Sequence, residues 1–158
     1  MTNTTAVLSL WVLTAAGVQL GTLWIMKTSI LPMLNALPYD RYVNVCHLID
    51  MHVFHPIAVW NGIIAAGIGG AAAYEAPNNT AAALFAVGSL FMIVVGITSE
   101  GFNRPVWRQI ERWSPHRIAD DRWRIKRHNW WFAHEVRTFG AMFALAAYFG
   151  AFLATAVS

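Results

Sequence analysis

Four long apolar stretches, separated by shorter polar connections, dominate the pattern of the chain. They cover residues 6–26, 56–74, 81–98 and 138–157, and none contains Asp, Glu, Lys or Arg. A helix that crosses the hydrocarbon core of a bilayer needs about 17–25 such residues. Because every backbone amide must be paired inside lipid, the pattern predicts a bundle of four transmembrane helices. We expect a single all-α integral membrane domain over residues 1–158.

The connections between these stretches have helical features of their own. Residues 39–55 have helical character and lead into Pro56, so we expect a short helix before the second span and a kink where the two join. Residues 104–113 resemble a continuation of the third helix, and a Ser-Pro turn follows. The segment 121–131 is an amphipathic approach to the last span. Together these two segments predict an aromatic, basic hairpin.

Composition and charge agree with a multi-pass membrane protein and predict its orientation. Charged residues make up 12% of the chain, whereas a soluble domain carries roughly 25%. Eight of the eleven Lys and Arg lie between Arg104 and Arg127. Because basic loops favour the cytoplasmic side, we expect residues 27–55 and 99–137 in the cytoplasm and both termini outside. The expected neighbour of the basic cluster is the lipid bilayer with its anionic headgroups, and not nucleic acid.

Small residues recur at four-residue spacing in three of the predicted spans, which allows helix backbones to approach closely. These residues are Gly17 and Gly21, then Gly62, Ala66 and Gly70, and finally Gly140 and Ala144. They are compatible with a homo-oligomer interface or with packing inside the bundle, and we favour packing inside the bundle. The single cysteine, Cys46, lies among apolar and aromatic residues, so we expect it to be packed and unreactive.

Polar side chains gather where the predicted spans end on the cytoplasmic side. They are His47, Asp50, His52 and His55 before the second span, Glu100 and Asn103 after the third, and His128, His134, Glu135 and Arg137 before the fourth. Ionisable groups close to the hydrocarbon are costly and by default face a bundle interior or a wet cavity. The convergence of the three groups predicts a polar pocket near the cytoplasmic interface.

The same residues suggest a metal site. At about 100° per residue, one helix stripe carries His47 and His55 with Asp50 beside it, while His52 points away. The candidate ligands are His47, Asp50, His55, Glu100 and His134. Imidazole and carboxylate bind Fe, Cu, Mn or Zn, but they also support acid–base chemistry without a metal. The purely structural alternative is a set of interfacial ion pairs, such as Arg137 with Glu100 or Asp50.

Two short segments are similar to a known family. TSEGFNRPVW over residues 98–107 ends the third span, and WFAHEVRT over residues 131–138 enters the fourth. The first connection adds two Leu-Pro pairs, at 31–32 and 37–38. Together these segments resemble the small four-span membrane proteins related to anthrone oxygenases.

The resemblance implies oxygenation of anthrone to anthraquinone without a classical cofactor. On that pattern the catalytic residues are Asn103, His134 and Arg137, where His134 takes a proton from an acidic carbon and Arg137 stabilises the enolate. The leading hypothesis is a membrane-embedded oxidoreductase of the oxygenase type that acts on an apolar or aromatic small molecule. The alternative is a non-catalytic accessory subunit of a larger membrane complex. A transporter is disfavoured because Gln19 is the only strongly polar residue expected deep in a span.

Overall fold

The computed structural model describes residues 3–52, 56–117 and 122–157, with side chains for all of these except 3, 50–52 and 56–59. Every regular element in this part of the chain is helical. The α-helices are α1 (Asn3–Ile25), α2 (Leu31–Ala36), α3 (Tyr39–His52), α4 (Pro56–Tyr74), α5 (Asn79–Thr98), α6 (Arg104–Ile110) and α7 (Arg122–Ala156). Two π-helical turns, Met26–Ile30 and Ser99–Asn103, join α1 to α2 and α5 to α6.

Three continuous helices of the described residues are long and apolar enough to cross a membrane. They are Thr4–Ala36, Asn79–Ile110 and Arg122–Ala156, with 33, 32 and 35 residues. At 1.5 Å per residue each is about 50 Å long, whereas a hydrocarbon core is about 30 Å thick. The 19-residue α4 packs against α1 and α5. The all-helical fold and three membrane-length apolar helices therefore agree with the sequence-based prediction.

In the first and second of these long helices, a π-helical turn carries the helix past a proline. The continuation of the second long helix beyond residue 103 was predicted from the sequence, whereas that of the first beyond residue 26 was not. Pro32 and Pro105 lie at the start of α2 and α6, directly after the π-helical turns. Proline lacks an amide N–H, and its ring clashes with the carbonyl four residues back. In both turns the closing N–H bonds to a carbonyl five residues back. The wider turn accommodates the proline without breaking the helix, so residues 27–36 are helical and not a loop.

The long helices and α4 alternate in direction, and hydrogen bonds tie the helix ends together. Thr5 Oγ1 donates to the carbonyl of Glu75 at 3.1 Å, so the start of α1 lies beside the end of α4. Asn78 caps α5 by accepting from the N–H of Ala81 at 2.8 Å, and its Nδ2 donates to the carbonyl of Ala154 at 3.1 Å. The start of α5 therefore lies beside the end of α7.

The apolar residues form two separate clusters. The bundle core lies between α1, α4, α5 and α7, and its largest buried side chains include Phe85, Met92 and Tyr148. The second cluster, which we call the cap core, joins α2, α3, α6 and the first turns of α7. It consists of Leu31, Leu34, Tyr42, Val43, Cys46, Ile110, Trp123 and Trp130. The cap core was not predicted from the sequence.

The recurring small residues have two different environments. A Cβ on Gly140 would lie 3.0 Å from Val95 Cγ2, and Ala144 is fully buried, so this pair packs inside the bundle as expected. A Cβ on Gly17 or Gly21 would meet no other atom of the described residues within 4 Å. For the first helix the preferred interpretation was therefore wrong, since these two glycines line an open groove between α1 and α7.

Candidate functional site

A set of polar side chains lies between the bundle core and the cap core, at the level of both π-helical turns. We call it the polar layer. It consists of Lys27 from the first π-helical turn, Ser99 and Asn103 from the second, and His134, Glu135 and Arg137 from α7. Each of the three long helices thus contributes polar residues at the point where one apolar cluster gives way to the other.

His134 is fully buried, and both of its ring nitrogens have partners. Nε2 lies 3.0 Å from the carbonyl oxygen of Leu23, and Nδ1 lies 2.7 Å from Nη2 of Arg137. A carbonyl can only accept a hydrogen bond, and a guanidinium can only donate one. The proton must therefore sit on Nε2 and the lone pair on Nδ1, which fixes a neutral imidazole in one tautomer.

Arg137 is held by neutral groups from two helices. Nη1 donates to Ser99 Oγ at 3.2 Å. With its amide assigned so that the oxygen faces the guanidinium, the buried Asn103 accepts from Nε at 3.0 Å and from Nη2 at 2.8 Å. Among the described side chains, no carboxylate forms an ion pair with this guanidinium. The positive charge of Arg137 is thus stabilised by oriented dipoles.

Lys27 and Glu135 form an ion pair that joins the first π-helical turn to α7. The two side chains are 23% and 16% exposed, so the pair borders the polar layer and remains partly open. The Lys27 ammonium also lies 4.3 Å from the centre of the Phe139 ring, within the range of a cation–π contact.

The three residues predicted as catalytic, Asn103, His134 and Arg137, come together in the polar layer. Sequence reasoning missed Ser99, although it lies four residues before Asn103, a spacing that places both on one helix face. It also missed the ion pair of Lys27 with Glu135, whose members lie beside the ends of the first and fourth predicted spans.

The predicted ion pair between Arg137 and Glu100 does not form in the described structure. Glu100 instead pairs with Arg104, one turn along the same helix, and both side chains are largely exposed. The i, i+4 spacing makes this pairing local, so it needs no contact between helices. Glu100 therefore contributes nothing to the charge of the polar layer.

The candidate metal ligands have separate partners where they are described. His47 Nε2 lies 3.4 Å from the backbone carbonyl that ends α6, while Glu100 and His134 have the partners given above. The side chain of Asp50 and all of His55 lie outside the described residues. Within residues 3–52, 56–117 and 122–157, no three His, Cys, Asp or Glu side chains form a group that could hold a metal ion.

The cap core beside the polar layer is closed by aromatic packing. Trp107 and Trp130 have ring centres 5.5 Å apart, and the Arg127 guanidinium lies 4.4 Å from the Trp123 ring. Burial raises the pKa of the Cys46 thiol to about 11, which keeps it protonated near neutral pH. Its packing agrees with the expectation of an unreactive cysteine.

No family model, no curated protein and no solved structure matches this chain. A functional argument must start from the geometry of the polar layer. That geometry combines a neutral histidine, a partly buried cation and a partly open ion pair at the boundary between two apolar cores.

Proposed function

We propose that this chain is a membrane-embedded oxidoreductase of the oxygenase type, which acts at the polar layer on an apolar or aromatic small molecule. The observation that carries the proposal is the contact of the neutral His134 with Arg137, which also binds Asn103. Ionisable residues buried in membrane helices are by default functional. The π-helical turns at the same level add support, because such turns are frequent at functional sites.

The proposal includes four spans and an orientation. In this arrangement α4 is the fourth membrane helix, residues 27–55 and 99–137 face the cytoplasm, and both termini lie outside. The polar layer then lies near the cytoplasmic interface, and the cap core projects beyond it. An apolar substrate enters sideways from the bilayer, and the enzyme works alone, as a homo-oligomer or within a larger membrane complex.

In the proposed chemistry His134 is the base and Arg137 stabilises negative charge. A substrate oxygen that accepts a hydrogen bond from Arg137 would draw the guanidinium away and free Nδ1 to take a proton from an acidic carbon. The enolate formed would face the cation. For an anthrone, the methylene carbon then loses two hydrogens and gains one oxygen atom from O₂, and the second oxygen atom leaves as water.

The accessory-subunit alternative also has an observation in its favour. In the described structure, both ring nitrogens of His134 are occupied, and Arg137 binds three side chains. A closed network of this kind is sufficient for a purely structural role, in which it ties α1, α5 and α7 together. The two functions predict different turnover for a variant in which residue 134 keeps its hydrogen bonds but cannot act as a base.

The test uses His134→Gln, because a glutamine amide can donate to the Leu23 carbonyl and accept from Arg137 but cannot act as a base. The matched control is His116→Gln, at an exposed position. Detergent-purified proteins are given an anthrone and oxygen, and O₂ uptake and quinone absorbance are followed. Metal content is measured by mass spectrometry on the same samples.

We expect turnover by the wild type and by His116→Gln, and a loss of roughly 10²–10⁴-fold in His134→Gln, the usual contribution of a general base. The melting temperature of His134→Gln should stay close to that of the wild type. Wild-type turnover in His134→Gln would refute the catalytic role. Absence of turnover in well-folded wild type would refute anthrone oxygenation and favour the accessory subunit.

A further inference from the structure

Two amide side chains at the contact of α1 with α4 are only half paired. Asn61 Nδ2 donates to the carbonyl of Ala15 at 2.7 Å and to Gln19 Oε1 at 3.3 Å. Gln19 is 4% exposed, and Asn61 is half-buried. The other halves of the two amides, Gln19 Nε2 and Asn61 Oδ1, have no hydrogen-bond partner among the described residues.

The two unpaired amide groups reach the outer surface at a depth where water is absent. Among the described side chains, the fully buried polar atom without a partner is the Tyr42 hydroxyl in the cap core, so Gln19 Nε2 and Asn61 Oδ1 are both partly accessible. Gln19 lies eight residues before Lys27, which places it about 12 Å from the polar layer. In the proposed membrane arrangement this is the hydrocarbon core, where lipid tails cannot satisfy an amide.

The exposed face of α4 beside these amides is unusually small. The exposed faces of α5 and α7 carry large apolar side chains, which are Val87, Leu90, Ile93, Val94 and Ile97 on α5 and Phe139, Phe143, Phe149 and Leu153 on α7. On α4 the exposed positions from 67 to 71 are Gly67, Gly70 and Ala71. A Cβ on either glycine would meet no other described atom within 4 Å. These glycines are therefore not required for packing inside the bundle.

The small residues belong to a longer stripe along α4. Trp60, Ile64, Gly67 and Ala71 are all exposed, and spacings of four, three and four residues place them on one helix face. We call this set the α4 stripe. Glycine and alanine on a membrane helix let a second helix backbone approach closely. The stripe thus gives room for another helix, and the unpaired amides beside it provide hydrogen bonds for one.

We propose that a second copy of the chain packs on the α4 stripe and that the unpaired amide groups hydrogen-bond across the contact. A two-fold axis brings the same surface of each copy together. Each copy supplies a donor in Gln19 Nε2 and an acceptor in Asn61 Oδ1, so the surface is complementary to itself. Such a dimer requires α4 to cross the membrane as proposed, but it does not require the oxygenase chemistry.

Förster transfer between donor-labelled and acceptor-labelled copies of the full chain measures the association. The dyes are attached to Ser114→Cys, at an exposed position, in a Cys46→Ser background. The two preparations are mixed in phosphatidylcholine vesicles at decreasing protein density. We expect transfer well above the level of random encounters, and we expect excess unlabelled chain to abolish it.

Two variants with a matched control locate the contact. Gly67→Leu fills the α4 stripe at an open position, whereas the control Gly21→Leu changes an equally open, exposed helical glycine in the groove between α1 and α7. We expect Gly67→Leu and Asn61→Leu each to weaken association roughly tenfold or more, and Gly21→Leu to leave it unchanged. Circular dichroism and melting temperature verify that each variant folds. If Asn61→Leu does not fold, Gly67→Leu and the cross-linking below decide.

Disulfide cross-linking in the same vesicles tests the face directly. Ile64→Cys lies on the α4 stripe, and Leu90→Cys is its control on the exposed face of α5, since Ile64 and Leu90 are 49% and 61% exposed. Both are made in the Cys46→Ser background and oxidised by copper phenanthroline and O₂. We expect covalent dimers of Ile64→Cys and monomers of Leu90→Cys.

The outcomes that would overturn the proposal are distinct. Transfer at the random level in well-folded wild type would show that the chain is a monomer. Weaker association of Gly21→Leu together with unchanged Gly67→Leu would place the contact at the groove between α1 and α7. Unchanged association of a folded Asn61→Leu would show that the amides do not bind across the contact. None of these measurements depends on turnover, so failure of the oxygenase function would leave their results unaffected.

Discussion

At the scale of single residues, Arg137 controls the state of His134. Its Nη2 donates to Nδ1, so a proton on Nδ1 would place two donors against each other. The imidazole can therefore act as a base only after the guanidinium has moved to another acceptor. Under the proposed function, this geometry would couple the basicity of His134 to the arrival of a ligand that offers an oxygen to Arg137.

The buried Cys46 gives a prediction that does not depend on function. With the pKa of its thiol raised to about 11 by burial, only roughly one molecule in a thousand carries the thiolate at pH 8. We expect iodoacetamide to leave Cys46 unmodified in the native protein at pH 8 and to alkylate it after unfolding in detergent and urea. Mass spectrometry of the intact chain measures both reactions.

An exposed cysteine serves as the control for this experiment. Ser114→Cys places a thiol at an exposed position, and it should react in native protein at pH 8. Because the folded-state pKa of Cys46 lies above the unfolded value of about 9, its contribution to stability is complete below pH 9 and is lost as the pH rises towards 11. Rapid native alkylation of Cys46 would contradict the burial that raises the pKa.

At the scale of elements, the two π-helical turns explain how proline positions in the sequence place residues of the polar layer. Both occur directly before a helix that begins with proline in its first two positions. The second turn begins with Ser99 and ends with Asn103, and both contact Arg137. The proline that forces the wider turn therefore also helps to place the two polar partners of the guanidinium.

If the second π-helical turn already accommodates Pro105, replacing this proline should change stability little. A proline inside a regular helix costs about 3 kcal/mol relative to alanine. We expect Pro105→Ala to change the free energy of unfolding by less than about 1 kcal/mol, whereas Ala83→Pro in the regular helix α5 should cost about 3 kcal/mol or more. Denaturant unfolding in mixed micelles measures both. A gain of about 3 kcal/mol in Pro105→Ala would show that the proline is strained.

The sequence predicted some of these elements and not others, for physical reasons. Uninterrupted apolar runs predicted the helices, because only intrahelical hydrogen bonds satisfy the backbone in lipid. The trio of Asn103, His134 and Arg137 was predicted from a family resemblance and from its position at the span ends. The π-helical turns and the cap core were not predicted, since both depend on how helices pack and not on a periodic pattern in one segment.

At the scale of the whole molecule, three helices of about 50 Å are longer than a bilayer core of about 30 Å requires. In the proposed arrangement, the bundle core occupies the length of these helices that would lie in the bilayer. The cap core is formed by their remaining turns together with α3. The polar layer lies where the two parts meet. In the proposed membrane arrangement, lipid and water would both reach the molecule at the level of the polar layer.

The arrangement of the spans predicts which positions lie on the same side of the membrane. Arg127 Nη1 donates to the carbonyl of Asn35 at 3.2 Å, so the end of α2 and the start of α7 belong to one end of the molecule. Asn79 begins α5 at the other end. If α4 crosses the membrane, Asn35 and Ser114 must face one side and Asn79 the other.

Labelling with a membrane-impermeant maleimide tests this arrangement in a Cys46→Ser background. Asn35→Cys, Ser114→Cys and Asn79→Cys each place a single thiol at an exposed position. In intact cells we expect Asn79→Cys to react, and the other two to react only after permeabilisation, because basic loops stay in the cytoplasm. The reverse pattern would refute the orientation but keep four spans. Reaction of Asn35→Cys and Asn79→Cys from the same side would mean that α4 does not cross the membrane.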